Sequence, residues 1–182
     1  MDAQTDLAMV YLSNVTDLFK YYKSLGEKAM AQLSDDELHI QYGEDANTIA
    51  IIVQHLSGNM LSRWTDFLTT DGEKTWRHRD TEFEENALTR VQVSERWEKG
   101  WSCLFQTLTS FTSEDLLKTI TIRQQAQNVT EAINRQLAHY AYHVGQMVYI
   151  AKTIRGAAWQ SLSIPKGKSS EHTQGSFLND VR

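Results

Sequence analysis

The stretch from Thr130 to Gly156 reads TEAINRQLAHYAYHVGQMVYIAKTIRG, and its pattern decides the fold. Ile133, Leu137, Tyr140, Val144, Met147, Val148, Ala151 and Ile154 recur mostly at steps of three and four, the period of an amphipathic helix. The spacing predicts a long helix beginning near Thr130, with Gly156 as its stop. A helix of that length with one apolar stripe must bury the stripe against other elements.

Three earlier stretches repeat the pattern. The first runs from about Asp2 to Leu33, with Leu7, Val10, Tyr11, Val15, Leu18, Phe19, Tyr22 and Leu25 on its stripe and Gly26 as a mild interruption. The second begins at Asn47 as N-cap, carries Ile49, Ile52, Val53, Leu56, Met60, Trp64, Phe67 and Leu68, and ends at Thr69-Thr70-Asp71-Gly72. The third spans about Ala87 to Phe111, its buried face marked by Leu88, Val91, Trp97, Trp101, Leu104, Phe105 and Leu108. Between them, 39–46 reads as a loop, and the charge-dense 76–85 reads as a loop anchored by Phe83. Ile120 and Ile122 alternate with threonines and predict a short extended segment, with Gln124 to Asn128 as its turn and return strand. The only proline, Pro165, leaves everything before it free to be helical. The resulting expectation is an all-α chain: an antiparallel-type four-helix bundle with a short extended insert before the last long helix. Residues 1–160 form one domain and 161–182 a polar tail.

Composition removes several function classes. With 18 basic and 23 acidic residues the net charge is −5, which argues against nucleic acid as a partner. One cysteine excludes an internal disulfide and any multi-cysteine metal site, and Cys103 reads as a buried, inert thiol. No apolar run is long enough to cross a membrane, and the first residues show no basic and apolar signal pattern, so the expected location is the cytoplasm. There is no His-Glu-x-x-His motif, Glu-x-x-His pair, Gly-x-Ser-x-Gly elbow or phosphate-binding glycine loop.

Chemistry concentrates in the histidines. His139 and His143 are four residues apart and share one helix face. An i,i+4 pair can place two imidazole nitrogens on one ion, and His55, in the middle of the second helix, can deliver a third. Three neutral imidazoles leave an open coordination position of the catalytic type. The competing reading is a set of core histidines satisfied by hydrogen bonds. His39, His78 and His172 read as surface residues. Gly58 and Gly145, each within a turn of a histidine, leave room for a close approach or for an ion. Asn59 and Gln146 are candidates to orient a ligand imidazole or a water.

The strings HLSGNMLSRW (55–64), DGEK (71–74), RHRDTEF (77–83) and HYAYHVGQ (139–146), with one histidine in helix two and His-x-x-x-His in helix four, resemble the DinB-like superfamily. That superfamily includes bacillithiol and mycothiol S-transferases; the resemblance covers about Asp2 to Gly156 and points to an uncharacterised branch. It implies one divalent metal ion, zinc or nickel, on His55, His139 and His143, and often a homodimer. It leaves the chemistry open, because one fold hosts many activities. The leading expectation is a metal-dependent transferase or hydrolase that activates a thiol or water against a small-molecule substrate, with a low-molecular-weight thiol as one candidate. Arg63 and Arg79 are candidates to hold a substrate carboxylate, although for Arg63 a surface ion pair with a loop acid is the simpler account. Asp80 and Glu82 are candidate bases. The alternatives are a non-catalytic metal-binding or stress-associated bundle, closed by a fourth ligand from Glu82, Asp80 or His78, and a plain helical interaction module.

Overall fold

A computed structural model describes residues 3–171. The chain is mostly helical. Its long helices are α1 (Ala3–Met30), α2 (Ile49–Trp64), α3 (Arg90–Ser110) and α4 (Val129–Arg155). A two-stranded antiparallel sheet, β1 (Thr119–Ile122) and β2 (Gln125–Asn128), lies between α3 and α4. Short 3-10 turns at Asp36–His39, Asp80–Phe83 and Glu114–Leu117 punctuate the connections. No described helix is long and apolar enough to cross a membrane.

The four helices share one apolar core. α2 packs most extensively on α3, and α1 on α4; contacts of α2 with α4 and of α1 with α3 join the two pairs. Fourteen of the sixteen residues of α2 are buried, which makes it the central helix. Phe19, Trp64, Trp101 and Tyr140, from four different helices, meet edge-on or tilted at centroid separations of 5.8–6.3 Å. Such aromatic pairs contribute about 0.5–1.5 kcal/mol each beyond their burial. The Trp64 indole N–H donates to the Tyr140 hydroxyl at 3.0 Å, and that hydroxyl donates to Asn59 Oδ1 at 3.0 Å. This buried chain ties the C-terminal half of α2 to the middle of α4.

Helix boundaries follow capping chemistry more closely than apolar spacing. Thr48, not Asn47, caps α2, its hydroxyl accepting from Ile51 N. α3 begins at Arg90 rather than Ala87, because Thr89 and Gln92 form a reciprocal capping box, with Leu88 and Val93 buried in the positions of a hydrophobic staple. α2 ends at Trp64 although the apolar spacing runs on to Leu68. Asp66 takes a positive φ of 48°, and Ser62 holds the returning loop by donating to Gly72 O and accepting from Lys74 N. Phe67 keeps its place in the core by stacking on Trp64 after the backbone has turned. Leu7 and Val10, expected on the buried stripe of α1, are 70% and 64% exposed; Leu12, Val15 and Phe19 carry that face. Val91 is likewise exposed. Both sets are compatible with a 3.6 period, and only the position of the neighbouring helices selects between them.

The extended insert is a β-hairpin. Its two turn residues, Arg123 and Gln124, have φ of 54° and 62°, the backbone of a two-residue type I′ turn built without glycine. Asp71 explains how that turn is held: its carboxylate accepts from the backbone N–H groups of Glu73, Arg123 and Gln124. The hairpin is thereby fastened to the loop after α2. Beyond Gly156, which ends α4 at φ 53°, Trp159 and Leu162 still pack on the core, and Gln160 pairs with Gln32. Residues 163–168 are exposed. His172 and the rest of the expected tail lie outside the described residues.

Candidate metal centre

His55 on α2 and His139 and His143 on α4 converge. Nε2 of His139 lies 3.3 Å from Nε2 of His55 and 3.1 Å from Nε2 of His143. Among the described residues these three form a group able to hold a metal ion, with one ligand atom from each inside a 4.8 Å span. His55 and His143 are buried and His139 is half-buried.

The outer ring nitrogens fix the tautomers. Glu82 Oε2 lies 2.9 Å from His55 Nδ1. The carboxyl of Glu82 is held below the usual range; burial opposes ionisation, and the hydrogen bonds from Arg77 and His55 more than offset it. An ionised carboxylate only accepts, so His55 Nδ1 carries the proton. His143 Nδ1 lies 2.9 Å from the Gln146 carbonyl oxygen and donates to it. Both rings therefore turn bare Nε2 lone pairs toward His139. A proton on His139 Nε2 can be donated to one of these two nitrogens and leaves the other lone pair without a donor. A cation satisfies all three. The observed separations fall within the roughly 2.8–3.4 Å between nitrogens that lie about 2.0–2.1 Å from one ion at octahedral to tetrahedral angles.

Burial and the facing imidazoles push the His139 ring down to about 3 and the His143 ring down to about 4. Both are neutral at pH 7, the form that ligates. The same shifts give a stability prediction for metal-free protein. Between these values and about 6.5, the unfolded chain binds protons that the folded one refuses, so stability rises with pH. The thermal midpoint is expected to fall as the pH is lowered from 7 to 5, and to fall less in His139→Ala. An equal slope in the two proteins contradicts the assignment.

Glu82 is the residue that sequence reading misplaced. Expected in a solvated loop, as a base or a fourth ligand, it is 7% exposed. Its two oxygens are occupied by the forked guanidinium of Arg77, at 2.8 and 2.9 Å, and by His55. Gly58 makes the space. A Cβ there would stand 2.2 Å from Glu82 Oε1, so the glycine three residues after His55 admits the carboxylate that orients it. Gly145, by contrast, faces open space and serves no close approach. Phe83 lies against the His55 ring at 4.6 Å.

The other expected residues are distributed as follows. Gln146 reaches His143, whereas Asn59 is engaged with Tyr140 and lines the cavity beside the histidines. Arg63 is 4% exposed and not at the surface; Glu73, 3.8 Å away, is its ion-pair partner. Arg79 is exposed and lies over the Phe83 ring at 5.1 Å. His78 and Asp80 are exposed. His39, expected at the surface, is half-buried, with Nε2 2.9 Å from Leu88 O. Cys103 is half-buried beside the Thr65 hydroxyl, not fully enclosed. Arg77 and Arg135, which sequence reading did not single out, line the same cavity. A signal for Arg135 was present: Arg135, His139 and His143 repeat every four residues on α4, as His55, Asn59 and Arg63 do on α2.

Neither the curated proteins nor the solved structures yield a match to the chain. A family described as "protein of unknown function (DUF1572)" matches residues 6–168, and the chain belongs to that family.

Proposed function

We propose that this protein is a divalent-metal-dependent enzyme of the DinB-like type, an antiparallel four-helix bundle over residues 1–160 with a polar tail over 161–182. In this reading His55, His139 and His143 hold one ion, zinc or nickel. A divalent ion in such a site lowers the pKa of a thiol or water and supplies a nucleophile near neutral pH for transfer or hydrolysis. The observation that carries the reading is the set of converging Nε2 atoms, two of them with outer Nδ1 protons held by Glu82 and Gln146. Histidine ligands are commonly oriented by such carboxylate and carbonyl partners.

The chain's own residues have separable tasks here. Glu82 keeps the His55 proton on Nδ1 and is itself anchored by Arg77. Gln146 does the same for His143. With both carboxylate oxygens of Glu82 committed, and His78 and Asp80 exposed, the fourth position is left to a small molecule. That favours an open, catalytic site over a closed, structural one. A cavity of about 440 Å³ adjoins the histidines and gives a substrate room. A homodimer is part of the reading.

Elemental analysis of untagged protein tests the proposal, with wild type beside the His139→Ala/His143→Ala double variant. About one ion per wild-type chain and none in the variant is the expected result. Thiol-transfer and hydrolysis screens with that ion then address activity. Wild-type protein without metal, even after titration with zinc and nickel, overturns the reading.

A further inference from the structure

The cavity beside the histidines is lined by five of the chain's nine arginines and by no carboxylate and no lysine. They are Arg63, Arg77, Arg79, Arg123 and Arg135. In a chain of net charge −5 this clustering does not follow from composition. Guanidinium groups are planar forks that take carboxylate or phosphate oxygens two at a time, which a lysine ammonium cannot do.

The protein's own acids do not neutralise the group. Glu82 is committed to Arg77 and His55. Glu73 is shared among Arg123 at 3.0 Å, Arg77 at 3.5 Å and Arg63 at 3.8 Å. Arg63 remains underserved: its Nε and Nη1 are buried with no hydrogen-bond partner among the described residues. Burial lowers its pKa, and Arg77 and Arg135 push in the same direction. Side chains of Arg79 and Arg135 have no hydrogen bond or ion pair among the described residues. A buried guanidinium with two unpartnered nitrogens and a carboxylate no nearer than 3.8 Å, close to two other arginines, costs folding free energy that an enclosed anion would offset. Its position matters equally. Arg63 is two turns along α2 from His55, and Arg135 one turn before His139 on α4, so the arginines extend the two stripes that carry the histidines.

We propose that the cavity binds an oxyanion group of the substrate, a phosphate or a carboxylate, on Arg63, Arg79 and Arg135, and so directs the adjoining part of that molecule toward the histidines. The directing role rests on the proposed metal centre; the anion site does not.

Calorimetric titration of metal-free protein with inorganic phosphate, and separately with succinate, tests it. One saturable site per chain is expected. Arg79→Gln and Arg135→Gln change exposed residues and preserve the fold; each is expected to weaken binding at least tenfold. Arg155→Gln, whose arginine faces Glu37 outside the cavity, is expected to change nothing. The tighter of the two anions identifies the substrate's group. Failure of both anions to bind overturns the proposal, as does binding that both cavity variants retain. Titration of His139→Ala separates the two readings: anion binding that persists there stands even if the metal centre fails. Binding that requires added metal and ignores the arginines places the anion on the ion and overturns the site.

Discussion

Glu82→Ala is expected to weaken metal binding by about 10–100-fold and to destabilise the fold, although Glu82 is not itself a ligand. Two effects add. Loss of the acceptor frees the His55 ring, whose tautomer and orientation Glu82 sets, and partners of this kind are worth about that factor in affinity. The substitution also strands Arg77, whose side chain is 2% exposed. Breaking a buried ion pair costs about 3–5 kcal/mol, and Glu73, 3.5 Å from Arg77, places this case toward the lower end. Glu82→Gln separates the contributions. Its amide oxygen can still accept from His55 Nδ1, so metal affinity is expected to recover more fully than stability. Competition titration with a chromophoric chelator reads the first quantity and denaturant unfolding the second. An alanine variant that binds metal as the wild type does removes Glu82 from the site.

Loading the protein with its metal is expected to raise the thermal midpoint by about 8–16 °C when free metal exceeds its Kd a thousandfold. Binding to the folded state alone contributes about 4 kcal/mol at that excess. In a domain of this size each kcal/mol moves the midpoint by about 2–4 °C. The sign follows from the site: His55 and His143 both turn Nε2 lone pairs toward His139 at 3.1–3.3 Å, where one proton serves only one of them and a cation serves all three nitrogens. Removing the metal with a chelator is expected to reverse the shift while helical circular dichroism stays intact. Phe19, Trp64, Trp101 and Tyr140 pack on one another across the four helices, and this core is expected to hold the fold without the ion. Loss of helical signal on chelation would mark a structural ion instead. Scanning calorimetry with and without chelator distinguishes the outcomes.

The positions of these residues show which information is local. Thr130–Gly156 announces α4, because a 3.6-residue apolar period and a terminal glycine are properties of neighbouring residues. The His139–His143 pair is legible for the same reason. The Thr89-to-Gln92 capping box was equally local and carried the α3 boundary that the apolar spacing blurred. The stripe of α1 was ambiguous from the start: Leu7 and Val10 obey the period as well as Leu12 and Val15 do, and the packing partners chose.

Sequence by itself therefore determined the helical class, the four long helices, the hairpin and the two-plus-one histidine set. Each depends on spacing within one element or on residue type. Only the tertiary structure decided what surrounds the histidines. Glu82 stands 27 residues from His55, and nothing in a charge-rich loop distinguishes the acid that turns inward from those that stay in water. The room left by Gly58, the fork of Arg77 and the burial of Arg63 select it, and these exist only once α2, α4 and the loop between α2 and α3 are packed together. The arginine-lined cavity has the same origin: its five members are scattered over residues 63–135 and become one surface through the packing of elements distant in the chain.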